Sequence, residues 1–118
     1  MRNEYVVAVV LVSDPESRWR IALTAIVEAL GHDVVHDLGR GPVDVIVVEP
    51  LSRESVALAR EARAGGAQVV CVTGGRRMIG GWLLEPVAYL EKPVQVGPFV
   101  RTIERALERT HQPAAAAA

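Results

Sequence analysis

Short apolar runs that each end in a polar side chain constrain this chain most. Residues 43–48 read Val-Asp-Val-Ile-Val-Val and end at Glu49. The run 5–12 leads into Ser13-Asp14, the run 68–72 ends at Thr73, and the run 87–91 ends at Lys92-Pro93. Runs of this length, rich in Val and Ile, suit strands of a parallel sheet buried on both faces. Between them, apolar residues recur at helical spacing. Trp19, Leu23, Ile26, Val27 and Leu30 form one set, and Val56, Leu58, Ala59 and Ala62 a second. Phe99, Val100, Ile103, Ala106 and Leu107 form a third, expected to face inward. Alternation of strands and helices predicts an α/β domain with a parallel sheet covered on both faces. Sites in such sheets form outside the carboxyl ends of the strands. That rule gathers Asp14, Glu49, Thr73 and Lys92 at one edge.

Local signals set the element boundaries. Ser13-Asp14-Pro15-Glu16 starts the first helix, with Ser or Asp as the cap and Pro in the first turn, and Gly31 ends it. Residues 32–36 make a weak short strand, and 37–42 a turn-rich connector. Ser52 caps a helix running to about Ala64, which Gly65-Gly66 stops. Residues 73–77 form a glycine-rich turn. Residues 78–84 are ambiguous: Met78, Ile79, Trp82 and Leu83 share a helical face, but Gly80 and Gly81 each weaken a helix by about 1 kcal/mol. A last helix begins at Pro98 and turns Arg101, Glu104, Arg105, Glu108 and Arg109 to solvent. The domain spans 1–111, and an alanine-rich low-complexity tail occupies 112–118.

Composition excludes several classes. At 118 residues the chain has the size of one domain and needs no staple. Thirteen basic and fourteen acidic residues give a net charge of −1, so no nucleic-acid partner is expected. No run is long enough to span a bilayer, no targeting signal is visible, and no membrane partner is expected. One cysteine, Cys71, forms no internal disulfide, which suits a cytoplasmic location. Placed mid-strand, it is expected to be a buried, inert thiol. His32 and His36 lie in a strand-like region and are not expected to share a metal. The Gly74-Gly75-Arg76-Arg77 turn offers amides and two cations to an anion, or is a plain surface turn.

Carboxylate, threonine and lysine at the ends of successive strands, with Tyr89 three residues before Lys92, resemble the phosphorylation pocket of bacterial response-regulator receiver domains. The resemblance covers the chain to about His111. It implies a flavodoxin-like (CheY-like) five-stranded parallel sheet with strand order 2-1-3-4-5. It implies that Lys92 contacts a phosphoryl group or its carboxylate carrier, that Thr73 hydrogen-bonds a phosphoryl oxygen, that Tyr89 is an aromatic switch, and that Asp14 is one of two acids holding magnesium. It also implies a cis Lys92-Pro93 peptide.

The chain departs from that pattern in three places. Glu49 stands where the family has its phosphoacceptor aspartate. The second magnesium acid is missing, with Ser13 or Pro15 in its place, so the acidic pair looks halved and any magnesium at Asp14 and Glu49 is held weakly. Only residues 32–43 separate Gly31 from Asp44, so the second helix is lost; the fourth is short or irregular. Residues 37–43 reach at most about 25 Å when extended, barely enough for the crossing.

Glutamate moves the carboxylate by about 1.5 Å relative to aspartate, and misplacement of that order costs about a hundredfold in an in-line transfer. Glu49 is left with three readings: a pair with Lys92 that sets conformation, a structural carboxylate, or residual phosphoryl chemistry. Asp14 is a helix cap or a remnant acid, and Thr73 a strand end or a pocket residue. The expected function is a phosphorylation-independent, non-enzymatic receiver-like module acting on a protein partner of a signalling pathway, with a homodimer through the last strand and helix. Trp82 and Met78 are the expected interaction residues. The Glu49–Lys92 pair is expected to be partly solvated, contributing about 0–1 kcal/mol. Alternatives are an anion sensor at 74–77 and a conventional phosphorylatable stand-alone regulator.

Overall fold

A computed structural model describes residues 7–74 and 84–110. The described elements run β1 (Val9–Ser13), α1 (Ser17–Ala29), β2 (Asp33–Val35), β3 (Val45–Val48), α2 (Arg53–Ala64), β4 (Gln68–Thr73), β5 (Ala88–Glu91) and α3 (Val96–Thr110). All four strand pairs are parallel, and the order is β2-β1-β3-β4-β5, as expected.

The apolar runs become strands because both their faces are covered. Val10, Val12, Val45, Val47, Val70 and Val72 join Leu23 and Val27 of α1 and Phe99, Ile103, Ala106 and Leu107 of α3 in one cluster. Leu11, Ile46, Val48, Val69 and Cys71 join Ala59 and Ala62 of α2 in the other. Alternate residues of a strand thus serve opposite faces. Among the described residues, α1 and α3 lie on one side of the sheet and α2 on the other.

The second helix is absent, as expected: residues 36–44 contain no helix. Parallel connections ordinarily need a dozen residues or more. Nine suffice here because β2 has three residues and β3 four, so little length is retraced. The connector turns on an Asp37 Oδ1 that accepts from Gly39 N–H at 2.9 Å, and on Gly41 at φ +113°, a backbone that a side chain would strain. Asp44 then fastens β3 to β1 twice. Its N–H donates to Val9 O at 2.8 Å, and its Oδ2 accepts from Val9 N–H at 2.9 Å.

Helix ends correct some boundaries. Helix α1 begins at Ser17, and its N-cap, Glu16, makes no side-chain cap bond. Asp14 Oδ1 instead accepts from Glu16 N–H at 2.9 Å, closing a turn across Pro15 before the helix starts. Ser52 caps α2 as expected, accepting from Ser55 N–H at 3.0 Å, with Ser55 Oγ returned to Ser52 N–H at 3.2 Å. Helix α3 begins at Val96, two residues before Pro98, because proline fits any position of the first turn. Val100 is half-buried, and Thr102 takes the inward position instead, its hydroxyl donating to Pro98 O at 2.9 Å. The expected fourth helix falls on 78–84, of which only Leu84 lies among the described residues.

Candidate functional site

Four strand ends build the site. Ser13 closes β1, and its carbonyl accepts from Glu49 N–H at 3.1 Å, which fixes the residue after β3 against β1. Thr73 closes β4, and its carbonyl accepts from Lys92 N–H at 2.8 Å, which fixes the residue after β5 against β4. The following Lys92-Pro93 peptide is cis. These main-chain bonds hold Asp14, Glu49 and Lys92 at the carboxyl edge, with side chains only 2%, 2% and 6% exposed.

The Lys92 ammonium is the hub. Nζ donates to Glu49 Oε1 and to Glu16 Oε1, the latter at 3.3 Å. It also lies 2.9 Å from Asp14 Oδ2, as an ion pair without hydrogen-bond alignment. The remaining oxygens of the two buried acids are engaged elsewhere. Glu49 Oε2 accepts from Gly74 N–H at 2.8 Å, and Asp14 Oδ1 is held by Glu16 N–H. The Trp19 ring centroid lies 5.3 Å from Nζ, within cation–π range. Burial disfavours the charged amine, but the hydrogen bond to Glu49 and the negative charges of Asp14 and Glu49 outweigh it, so the Lys92 pKa is raised.

Two expectations change. The acidic set is not halved, because Glu16 places a third carboxylate beside Asp14 and Glu49, with oxygens of all three within 4.8 Å of one another. In the sequence Glu16 had the look of a first-turn helix residue; the signal was the Asp-Pro-Glu spacing, where the turn at Pro15 brings both acids to one side. The Glu49–Lys92 pair is also not solvated, since both side chains are almost wholly buried. Removing one partner of such a pair leaves an uncompensated charge and costs about 3–5 kcal/mol.

The fold family implies a magnesium ion at this edge. Magnesium requires near-octahedral oxygens at about 2.0–2.1 Å. Here the free oxygens of the buried acids face an ammonium. Asp14, Glu16 and Glu49 are oxygen donors of the kind such an ion takes, and the Lys92 ammonium lies at their focus, so an ion there would share or take over its contacts.

Other named residues lie further out. Thr73 is buried, and its Oγ1 has no hydrogen-bond partner among the described residues. Tyr89 is half-buried against the second cluster. Cys71 is buried, which pushes its thiol up to about 12. His32 Nδ1 accepts from Ala8 N–H at 3.1 Å, and His36 Nδ1 lies 3.0 Å from Val12 O. The His36 ring thus contacts the β1 backbone, and the His32 ring that of Ala8, one residue before β1. Met78, Trp82 and residues 75–77 lie outside the described residues.

No protein-family model matches the sequence, and no curated protein matches it. Solved structures match in fold. The signal receiver domain of a modulated diguanylate cyclase from Desulfovibrio desulfuricans G20 shares 21% identity, over 89% of this chain and 97% of that one, with a TM-score of 0.75. A response regulator from Thermotoga maritima shares 19%, over 87% and 99%, with a TM-score of 0.73. NtrX from Brucella abortus in complex with ADP shares 19% over 89% of this chain but only 27% of its own length, with a TM-score of 0.75. At these identities the likeness establishes the fold, which is that of receiver domains.

Proposed function

We propose that this chain is a receiver-like signalling module of two-component type that acts by protein–protein association, works in the cytoplasm and does not depend on phosphate. One observation carries the reading: Lys92 is bound, in a buried pocket, to Glu49, the residue that the resemblance sets at the phosphoacceptor position. The Glu49 carboxylate already supplies negative charge to Lys92. Thr73, on the intervening strand, is left for whatever else reaches the pocket. Transfer to Glu49 would have to draw its attacking oxygen from Lys92, at Oε1, or from Gly74 N–H, at Oε2.

On this reading the pocket is a fixed support for the surface beside it. That surface comprises β5 with Tyr89 and α3; Met78 and Trp82, expected from the sequence to contribute to binding, lie outside the described residues. It engages a protein partner or a second copy of the chain, and no catalytic step is assigned. Among the described residues no helix is long and apolar enough to cross a membrane.

The test is sedimentation of the parent, Glu49→Gln and Trp82→Ala, with and without acetyl phosphate, each checked for folding by circular dichroism. Association that ignores acetyl phosphate and is weakened by both substitutions is the expected result. Association that requires the donor, or that both folded variants retain, would contradict the reading.

A further inference from the structure

We propose that the cavity at the amino edge of the sheet, lined by Arg63, Gln68, Glu85 and Arg109, is a binding site for a small multivalent oxyanion, held between the two guanidinium groups.

This cavity lies at the edge opposite Lys92, and neither Glu49 nor Lys92 takes part in it. It measures about 490 Å³, within the range of small-ligand sites. Its wall follows residues 66–69, where the chain leaves α2 and enters β4. Arg63 comes from the last turn of α2 and Arg109 from the last turn of α3. Beside Gly66 the space is open, since an added Cβ would meet no heavy atom within 4 Å.

An arginine near a helix end ordinarily serves the last carbonyls. At the end of α2 those carbonyls have main-chain partners. Ala62 O accepts from Gly65 N–H at 3.1 Å and from Ala67 N–H at 3.0 Å, and Arg63 O accepts from Gly66 N–H at 2.9 Å. The Arg63 guanidinium turns instead to the Glu85 carboxylate. Glu85 takes φ +50°, a left-handed backbone uncommon in a residue with a side chain. Residues held in that region cluster at ligand clamps and active sites. The Arg109 side chain makes no ion pair or hydrogen bond among the described residues.

Charge favours an anion. Two guanidinium groups against one carboxylate leave a formal +1 in the lining. On the same helical turns, Glu61 is balanced by Arg60 and Glu108 by Arg105. Asp44, whose carbonyl accepts from Gln68 N–H, keeps its Oδ2 on Val9 N–H. Glu85 already shows Arg63 taking a carboxylate, and the planar guanidinium fork matches carboxylate and phosphate oxygens two at a time. The Glu85 side chain is 73% exposed, so it can give way to solvent. Two guanidinium charges then face the cavity, and an oxyanion bearing two or more charges matches both.

Inorganic phosphate and citrate are the probes, each titrated into the full chain at fixed ionic strength with chloride as the control. Calorimetry and amide NMR shifts are the readouts, and circular dichroism checks that each variant is folded. Saturable binding of at least one probe that shifts Gly66, Ala67 and Gln68 is expected, and the tighter probe tells phosphate from carboxylate chemistry. Arg109→Gln should weaken that binding roughly tenfold or more, the scale of one hydrogen bond to a charged group. Glu85→Gln removes the competing carboxylate and should tighten it by roughly tenfold. No saturable binding of either probe at millimolar concentration would overturn the proposal. Binding that Arg109→Gln leaves unchanged, or that a folded Glu85→Gln variant weakens, would overturn it as well. Shifts confined to Gly74 and Lys92 would put the anion at the other edge and also defeat it. If Glu85→Gln is unfolded, Arg109→Gln decides alone.

Discussion

Lys92, one residue beyond β5, crosses the end of β4 to reach the carboxylate of Glu49, one residue beyond β3. Neighbouring strands lie about 4.8 Å apart, so the two backbones are separated by roughly two strand spacings. Two long side chains close that gap, and both are buried. Lys92→Met should therefore lower the unfolding free energy by about 3–5 kcal/mol, because it strands carboxylates in a buried pocket. Urea denaturation of both proteins is the measurement. A loss under about 1 kcal/mol, the scale of a solvated pair, would contradict the buried geometry.

The same contact has a pH signature. The folded state holds the Lys92 proton more tightly than the unfolded chain does, because the pKa is raised. Its stabilisation is full below the unfolded value of about 10.4 and is lost as pH rises through the folded value. The stability difference between the parent and Lys92→Met should hold steady at neutral pH and shrink only above about pH 10.4. A difference that shrinks already on moving from neutral pH to pH 9 would place the amine outside the pocket.

Helix α2 depends on its cap. Ser52 and Ser55 exchange hydrogen bonds in both directions at the helix start. Ser52→Ala should cost about 0.5–2 kcal/mol, measured by thermal unfolding, while Ser52→Asp should retain most of the stability. Equal losses in the two variants would show that the cap contributes nothing.

Cys71 should be silent in the folded protein. It is fully buried in β4, and its thiol is pushed up to about 12. A thiol reagent at neutral pH should react only at the rate of unfolding and at once in denaturant. Rapid reaction under native conditions would contradict its placement in the second cluster.

The strands were legible because each depended on local pattern, whereas their order came from the family resemblance and the missing helix from comparing the chain's spacing with it. Apolar runs such as 43–48 have one length-compatible fate, and twelve residues between Gly31 and Asp44 leave little room for a helix. The edge carrying Asp14, Glu49, Thr73 and Lys92 followed from the parallel sheet. Glu16 and Trp19 did not follow. Their parts depend on how the Asp14 turn aims the start of α1, a three-dimensional angle that periodicity does not carry. Burial of the Glu49–Lys92 pair was likewise hidden, since an ion pair at a strand end reads the same whether wet or dry. The start of α3 was misplaced because Pro98 marks the first turn of a helix without saying which position of it.

The central claim is that a pocket filled by Lys92 and bearing Glu49 takes no phosphate. Intact mass of the full chain after incubation with acetyl phosphate and magnesium tests it most directly. The account predicts an unchanged mass for the parent and for Glu49→Gln alike. A phosphate adduct on the parent that is absent from Glu49→Gln would contradict it.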